Sequence, residues 1–242
     1  MTIVLIGRGR LATNLLPALQ QAGHQVVSVN SRTLEALPPV ADLFIISVKD
    51  AALTTVIAQA TKGREGQLFV HTAGSMPMSL FQGHCRHYGV FYPMQTFSKQ
   101  RLVDFRSLSL FVEGSDAASL SALTALAESL SRHVYQLSSA DRKYLHLAAV
   151  FACNFANHCY HLAADVLQRR GLPFDVMLPL INETARKVHT VSPCEAQTGP
   201  AVRYDENVIR MQSEMLSYDP LTRRLYDLLS RSIHQKQEEQ HD

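Results

Sequence analysis

The sequence predicts an α/β fold with a doubly wound, mostly parallel sheet, followed by an all-α C-terminal domain. Two observations carry this. From Thr2 to Leu137, short apolar runs rich in β-branched residues alternate with helical patterns; from Ser138 onward the strand patterns stop. Fully apolar strands belong to sheets covered on both faces, so the alternation implies a parallel sheet joined by right-handed crossovers, with helices above and below. The expected domains are 1–137 and 138–242.

The elements follow in order. Thr2–Ile6 reads as a buried strand. Leu11–Ala22 reads as a helix with Leu15, Leu16 and Leu19 on one face and Gly23 as its stop. Gln25–Val29 and Leu43–Val48 are strands, Ala52–Thr61 a helix, and Leu68–His71 a strand that ends in Thr72-Ala73-Gly74-Ser75. Gly89–Tyr92, Leu108–Val112 and Val134–Leu137 complete the strands, with a helix over Ser119–Leu130. Beyond them, Ser138 or Ser139 caps a helix that reaches about Leu167. That helix is apolar on nearly every face, which predicts burial all round, in a domain core and at a subunit interface. Phe174–Val188, with Pro179 inside it, Asn207–Leu216 and Leu221–Ile233 are further helices; Ser192–Ala201 is a loop, and Gln235–Asp242 is a polar tail expected to fray.

Composition narrows the function. The 242 residues are 46% hydrophobic and 18% charged, with a formal net charge of +2. A chain of this length buries a substantial core, and this charge leaves no electrostatic footprint for nucleic acid or a membrane surface. The cysteines, Cys85, Cys153, Cys159 and Cys194, show neither zinc-site nor disulfide spacing. The apolar start is cut short by Arg8 and Arg10, too soon for an export signal. No stretch approaches the roughly 20 apolar residues of a membrane span. A cytoplasmic location, no membrane partner and no metal are therefore expected.

The strongest motif is Gly7-Arg8-Gly9-Arg10-Leu11-Ala12, a G-x-G-x-x-A pattern between the first strand and the first helix. Gly7 permits the tight turn, Gly9 lets a diphosphate approach the backbone, and Ala12 allows close helix–strand packing. The helix N-terminus adds free N–H groups and positive potential. NAD binders carry an acidic residue at the end of the second strand, to hold the ribose 2′-hydroxyl. Here that end reads Asn30-Ser31-Arg32-Thr33. A carboxylate is missing, and Arg32 offers a donor fork to a 2′-phosphate, so NADP is the expected cofactor. Ser47, Val48 and Lys49 leave the next crossover strand, and Thr72 and Ala73 leave the one after; both turns should border the ribose and nicotinamide. His71 reads as a packed strand residue.

With these pieces in place the chain resembles a known group: two-domain bacterial proteins, Rossmann-like with a C-terminal domain of unknown function, regarded as candidate NADP oxidoreductases. The carriers are the glycine motif, His71-Thr72-Ala73-Gly74-Ser75, Tyr92-Pro93-Met94-Gln95-Thr96-Phe97, the Tyr144–Asn157 helix with His146 and Asn154, and Thr198-Gly199-Pro200-Ala201-Val202-Arg203-Tyr204-Asp205. Where this chain has Tyr92, the group more often has His. More distantly, the layout is similar to pyrroline-5-carboxylate reductase, ketopantoate reductase and the β-hydroxyacid dehydrogenases, whose helical domain closes over the nicotinamide and often makes the dimer. The hydroxyacid dehydrogenases carry Lys-x-x-x-Asn on the first long helix of that domain; here Val150 stands four residues before Asn154.

Hydride transfer needs geometry, a proton donor and dry walls. His146 and Asn154, two helical turns apart, lie roughly on one helix face and are the candidate donor and orienting groups, or else bond to neighbouring helices across a dimer seam; Arg203 could clamp a carboxylate or pair with a neighbouring acid. The expected function is an NADP-dependent oxidoreductase, a homodimer through its helical domain, reducing a small imine or carbonyl substrate in an interdomain cleft. The alternative is a non-catalytic NADP(H)-binding sensor. A prephenate-dehydrogenase-like activity, hinted at by Tyr92-Pro93-Met94, is disfavoured by the missing His.

Overall fold

A computed structural model describes residues 1–239 and divides the chain into two compact units, Met1–Asn154 and Phe155–Asp242. The first unit is built on a seven-stranded sheet: β1 (Thr2–Ile6), β2 (Gln25–Val29), β3 (Leu43–Ile46), β4 (Leu68–His71), β5 (His87–Met94), β6 (Ser109–Gly114) and β7 (His133–Gln136). The strand order is β2-β1-β3-β4-β5-β6-β7; β6 runs antiparallel to β5 and every other pairing is parallel. Side-chain alternation sorts the sheet into two cores. Ile3, Leu5, Leu43 and Ile45 pack with Leu15 and Leu19 of α1 (Arg10–Gln21) and Leu123 and Leu126 of α3 (Ala117–Leu130). Val4, Ile6, Phe44 and Ile46 pack on the opposite side with Leu53 and Ile57 of α2 (Asp50–Thr61).

Strands give way to helix α4 (Ser139–Ala149) at the predicted point, yet the compact units divide only after Asn154. The reason is a polar network that fastens the start of α4 to the sheet. Arg142, the one buried residue of that helix, donates from Nη1 to Glu113 Oε2 on β6 (2.6 Å) and from Nη2 to the Met76 carbonyl (2.6 Å). Ser139 donates to the same carboxylate through its backbone N–H (2.8 Å) and its hydroxyl (2.6 Å).

The long helix departs from expectation in two respects. A π-helical stretch, Val150–Phe155, separates α4 from α5 (Ala156–Gln168). Apart from Arg142 none of it is buried, and Tyr144 is 75% exposed, so burial on all faces is not achieved within one chain.

The second unit holds α5, α6 (Leu178–Lys187), α7 (Glu206–Met215) and α8 (Pro220–Glu238). Pro179 sits in the first turn of α6, where its missing N–H costs nothing, rather than within a longer helix; a 3₁₀ turn, Phe174–Met177, precedes it. Asp205 and Asp219 cap α7 and α8. The two helices are tied by Arg223 Nε donating to Ser213 Oγ (2.9 Å) and Tyr226 Oη donating to Gln212 Oε1 (2.7 Å). The tail expected to fray is helical through Glu238; residues 240–242 lie outside the described residues. Among the described residues no helix is long and apolar enough to cross a membrane.

Candidate functional site

The chain leaves β1 for β2 on one side and later returns to pair β3 on the other, so β1 and β3 flank a topological switch point, where open α/β sheets bind ligands. Gly7 donates its N–H to Val29 (2.9 Å), Ser47 to Ile6 (2.8 Å) and Thr72 to Ile46 (3.2 Å), which sets the ends of four strands side by side. Above them opens a cavity of about 980 Å³, near the upper end of the size range of ligand pockets.

Most of the predicted cofactor residues line it. Gly7, Arg8, Gly9, Arg10 and Leu11 form one wall, Ser31 and Arg32 another; Ser47, Val48 and Lys49 with Thr72 and Ala73 complete the floor. Ala12 and Asn30 stand behind the wall. Ala12 is buried in the core, and the Asn30 side-chain oxygen accepts the Arg32 N–H (3.1 Å), shaping the turn that presents Arg32.

The cavity is electropositive. Arg8, Arg10, Arg32, Lys49 and Lys99 line it, and Asp50 is the lone lining carboxylate, engaged by the Ser75 hydroxyl at 2.5 Å. Gly9 caps α1 without any side-chain cap, and the first turn carries no acidic residue, so its N–H groups and dipole remain available to an anion. A β-carbon on Gly9 would point into open space. Lys99 is a contributor sequence reasoning missed. Its loop is held by Asn14, buried in α1, whose amide donates to the Ser98 carbonyl (2.8 Å) and whose side-chain oxygen accepts the Val103 N–H (2.9 Å). The signal was there: an asparagine on the apolar face of the first helix.

A second cavity of about 570 Å³ shares Arg10, Tyr92, Gln95, Phe97 and His146 with the first and adds Leu145, Ala148, Ala149, Ala152, Cys153 and Asn154 from the α4 end of the helical run. Two of the predicted catalytic residues, His146 and Asn154, therefore meet one cavity. Arg203 belongs to the second unit, exposed just before α7. Both cavities are walled entirely by residues of Met1–Asn154.

At the junction of the two cavities the Tyr92 hydroxyl lies 3.3 Å from His146 Nδ1, and the rings meet edge to face. Gly74 makes room for them: a β-carbon there would fall 2.7 Å from His146 Nδ1 and 2.8 Å from Tyr92 Cζ. Burial raises the Tyr92 pKa, with the Arg142 charge opposing, so the phenol is held in its protonated form. His71 is the packed residue expected. It is fully buried, accepts the Ala73 N–H on Nδ1 (3.2 Å) and faces the Pro77 carbonyl with Nε2 (3.3 Å); burial lowers its pKa to about 4, so it is neutral.

Strand order, glycine turn and switch-point cavity define a Rossmann-type α/β protein with a helical C-terminal part. The chain belongs to the DUF2520 family, a domain of unknown function, whose model matches residues 108–233. It is similar to a candidate NADP oxidoreductase from Bacteroides fragilis, with 52% identity, 97% of this chain and 98% of that chain covered, and a TM-score of 0.92. The fold extends to an imine reductase from Myxococcus stipitatus in complex with NADP+ (16% identity, 97% and 93% covered, TM-score 0.70). It also extends to a pyrroline carboxylate reductase from Plasmodium falciparum with NADP bound (10% identity, 97% and 98% covered, TM-score 0.61). No curated protein matches the chain.

Proposed function

We propose that this protein is an NADP-dependent oxidoreductase that reduces a small imine or carbonyl compound. The observation that carries the reading is the first cavity, where an uncapped helix N-terminus and five cationic side chains face a space of dinucleotide size. The residues fit the cofactor. The Gly7–Leu11 turn would hold the diphosphate; Ser31 and Arg32, at the end of β2, would hold the 2′-phosphate. When bound, the reduced cofactor supplies a hydride. The chain's own share is to bind, orient and exclude water: Thr72, Ala73 and Gly74 present a small-residue floor, and Leu145, Ala148 and Ala152 give the second cavity apolar walls. The 52% identity to a candidate NADP oxidoreductase supports the same reading.

NADPH fluorescence should report binding in the micromolar range, and Arg32→Asp should weaken NADPH by about 30-fold or more, roughly 2 kcal/mol, while leaving NADH nearly unchanged. Equal loss for both nucleotides would remove the 2′-phosphate assignment. Tight cofactor binding with no turnover of any C=N or C=O compound would instead favour a non-catalytic sensor. The reading extends to a homodimer formed through the helical part, supported by the large apolar side chains that Leu180 (61% exposed) and Met215 (65%) present to solvent on α6 and α7. Analytical ultracentrifugation should give twice the 27.0 kDa chain mass.

A further inference from the structure

Tyr92 and His146 both line the wall common to the two cavities, with the Tyr92 hydroxyl 3.3 Å from His146 Nδ1. Several independent features hold the pair in place. Gly74 leaves no room for a β-carbon beneath it. Tyr92 sits on β5, and its ring is also flanked by Phe111 of β6 (centroids 6.3 Å apart). His146 comes one helical turn after Arg142, whose bonds to Glu113 and Met76 pin α4 to the sheet and to the loop after β4. A solvated tyrosine would need none of this.

We propose that the Tyr92 hydroxyl, rather than the His146 ring, delivers the proton to a substrate held in the second cavity, and that His146 is the residue that positions it. The assignment rests on the reductase reading. With a proton on Nδ1, His146 donates to the phenol oxygen, which turns the phenol proton toward the cavity. NADPH, when bound, would supply the hydride to the electrophilic carbon of the C=N or C=O bond, whose π electrons would move onto nitrogen or oxygen. The Tyr92 O–H bond breaks as the new N–H or O–H bond forms. The phenolate left behind accepts a hydrogen bond from His146 Nδ1–H and is reprotonated from solvent after the product leaves. Burial keeps the phenol protonated before the step, and proton transfer to a developing alkoxide or amide-like nitrogen is downhill from a phenol. Arg10 is the one permanently charged side chain lining the second cavity, so a substrate with an acidic group at one end and an apolar body matches its walls.

The test uses the full chain with NADPH and a panel of cyclic imines and 2-oxo acids, each with and without a carboxylate. NADPH affinity is read by nicotinamide fluorescence and turnover by NADPH oxidation. Tyr92→Phe should bind NADPH as the wild type does and lose about 100-fold or more in kcat. His146→Leu should lose less, and His146→Asn, which returns a donor near Nδ1, should recover part of that loss. Gly74→Ala, which leaves both functional groups but displaces them, should lower kcat. A Tyr92→Phe variant that keeps its rate to within threefold overturns the assignment. A wild type that binds NADPH and reduces no member of the panel overturns the reductase reading itself, an outcome told apart by the wild-type control.

Discussion

At Gly7 the main chain takes φ = +128°, and a β-carbon would sit 2.1 Å from the Ser47 carbonyl oxygen, itself backbone and unable to yield. Gly7→Ala should therefore cost about 3 kcal/mol or more in urea denaturation and abolish nucleotide binding, whereas Gly9→Ala, which meets nothing within 4 Å, should fold normally and lose binding alone. His71 makes stability depend on pH in a definite direction. Its folded pKa, about 4, lies below the ordinary 6.5, so as pH falls from 6.5 toward 4 the unfolded chain takes up a proton that the folded chain refuses. Stability is lost across that window, by roughly 3 kcal/mol from this group, and is retained in full above it. Thermal melts of His71→Gln should show a flatter pH dependence between 6.5 and 4. The buried Cys85 thiol is pushed up to about 12 by burial, while Cys159 is exposed. Maleimide labelling followed by mass spectrometry should modify Cys159 in the native protein and Cys85 only after unfolding. Of these residues the glycines were legible from the motif and His71 from its place in an apolar strand. Tyr92 carries no such signal: the group more often has His at this position, and only folding brings it to His146, 54 residues away in sequence.

Among the elements, the start of α4 does the most to place the site. Arg142 is 1% exposed on its side chain against 17% for Glu113, so their ion pair is shielded on the arginine side, and removing one partner leaves a charge in a poorly hydrated place. Arg142→Met should destabilise the protein by roughly 3 kcal/mol, and in a well-folded background should also lower turnover, because His146 rides one turn further along the same helix. Guanidinium titration and rate measurements on the same samples separate the two effects. Local patterns predicted the helix and its serine cap well, since capping and periodicity act within a few residues. They said nothing of the Glu113 clamp, which joins groups 29 residues apart in sequence. They also missed the π-helical turn Val150–Phe155, whose apolar residues satisfy a helical pattern equally well.

For the whole molecule, the discrepancy that matters is the apolar helical surface left open in one chain. If Leu180 and Met215 face a second copy, then Leu180→Lys with Met215→Lys should shift sedimentation from the dimer toward the monomer while leaving the NADPH affinity of the first cavity unchanged. What the sequence alone determined is the order of strands and helices, the position of the glycine turn and the absence of an acid at the end of β2; these depend on short-range alternation, backbone freedom and local charge. Only the tertiary structure decided that Asn14 would carry Lys99 to the cavity, that Arg142 would lock α4 to β6, and that Tyr92 would meet His146 over Gly74. Those contacts join residues far apart along the chain, and their partners are selected by sheet order and packing, which no local window contains.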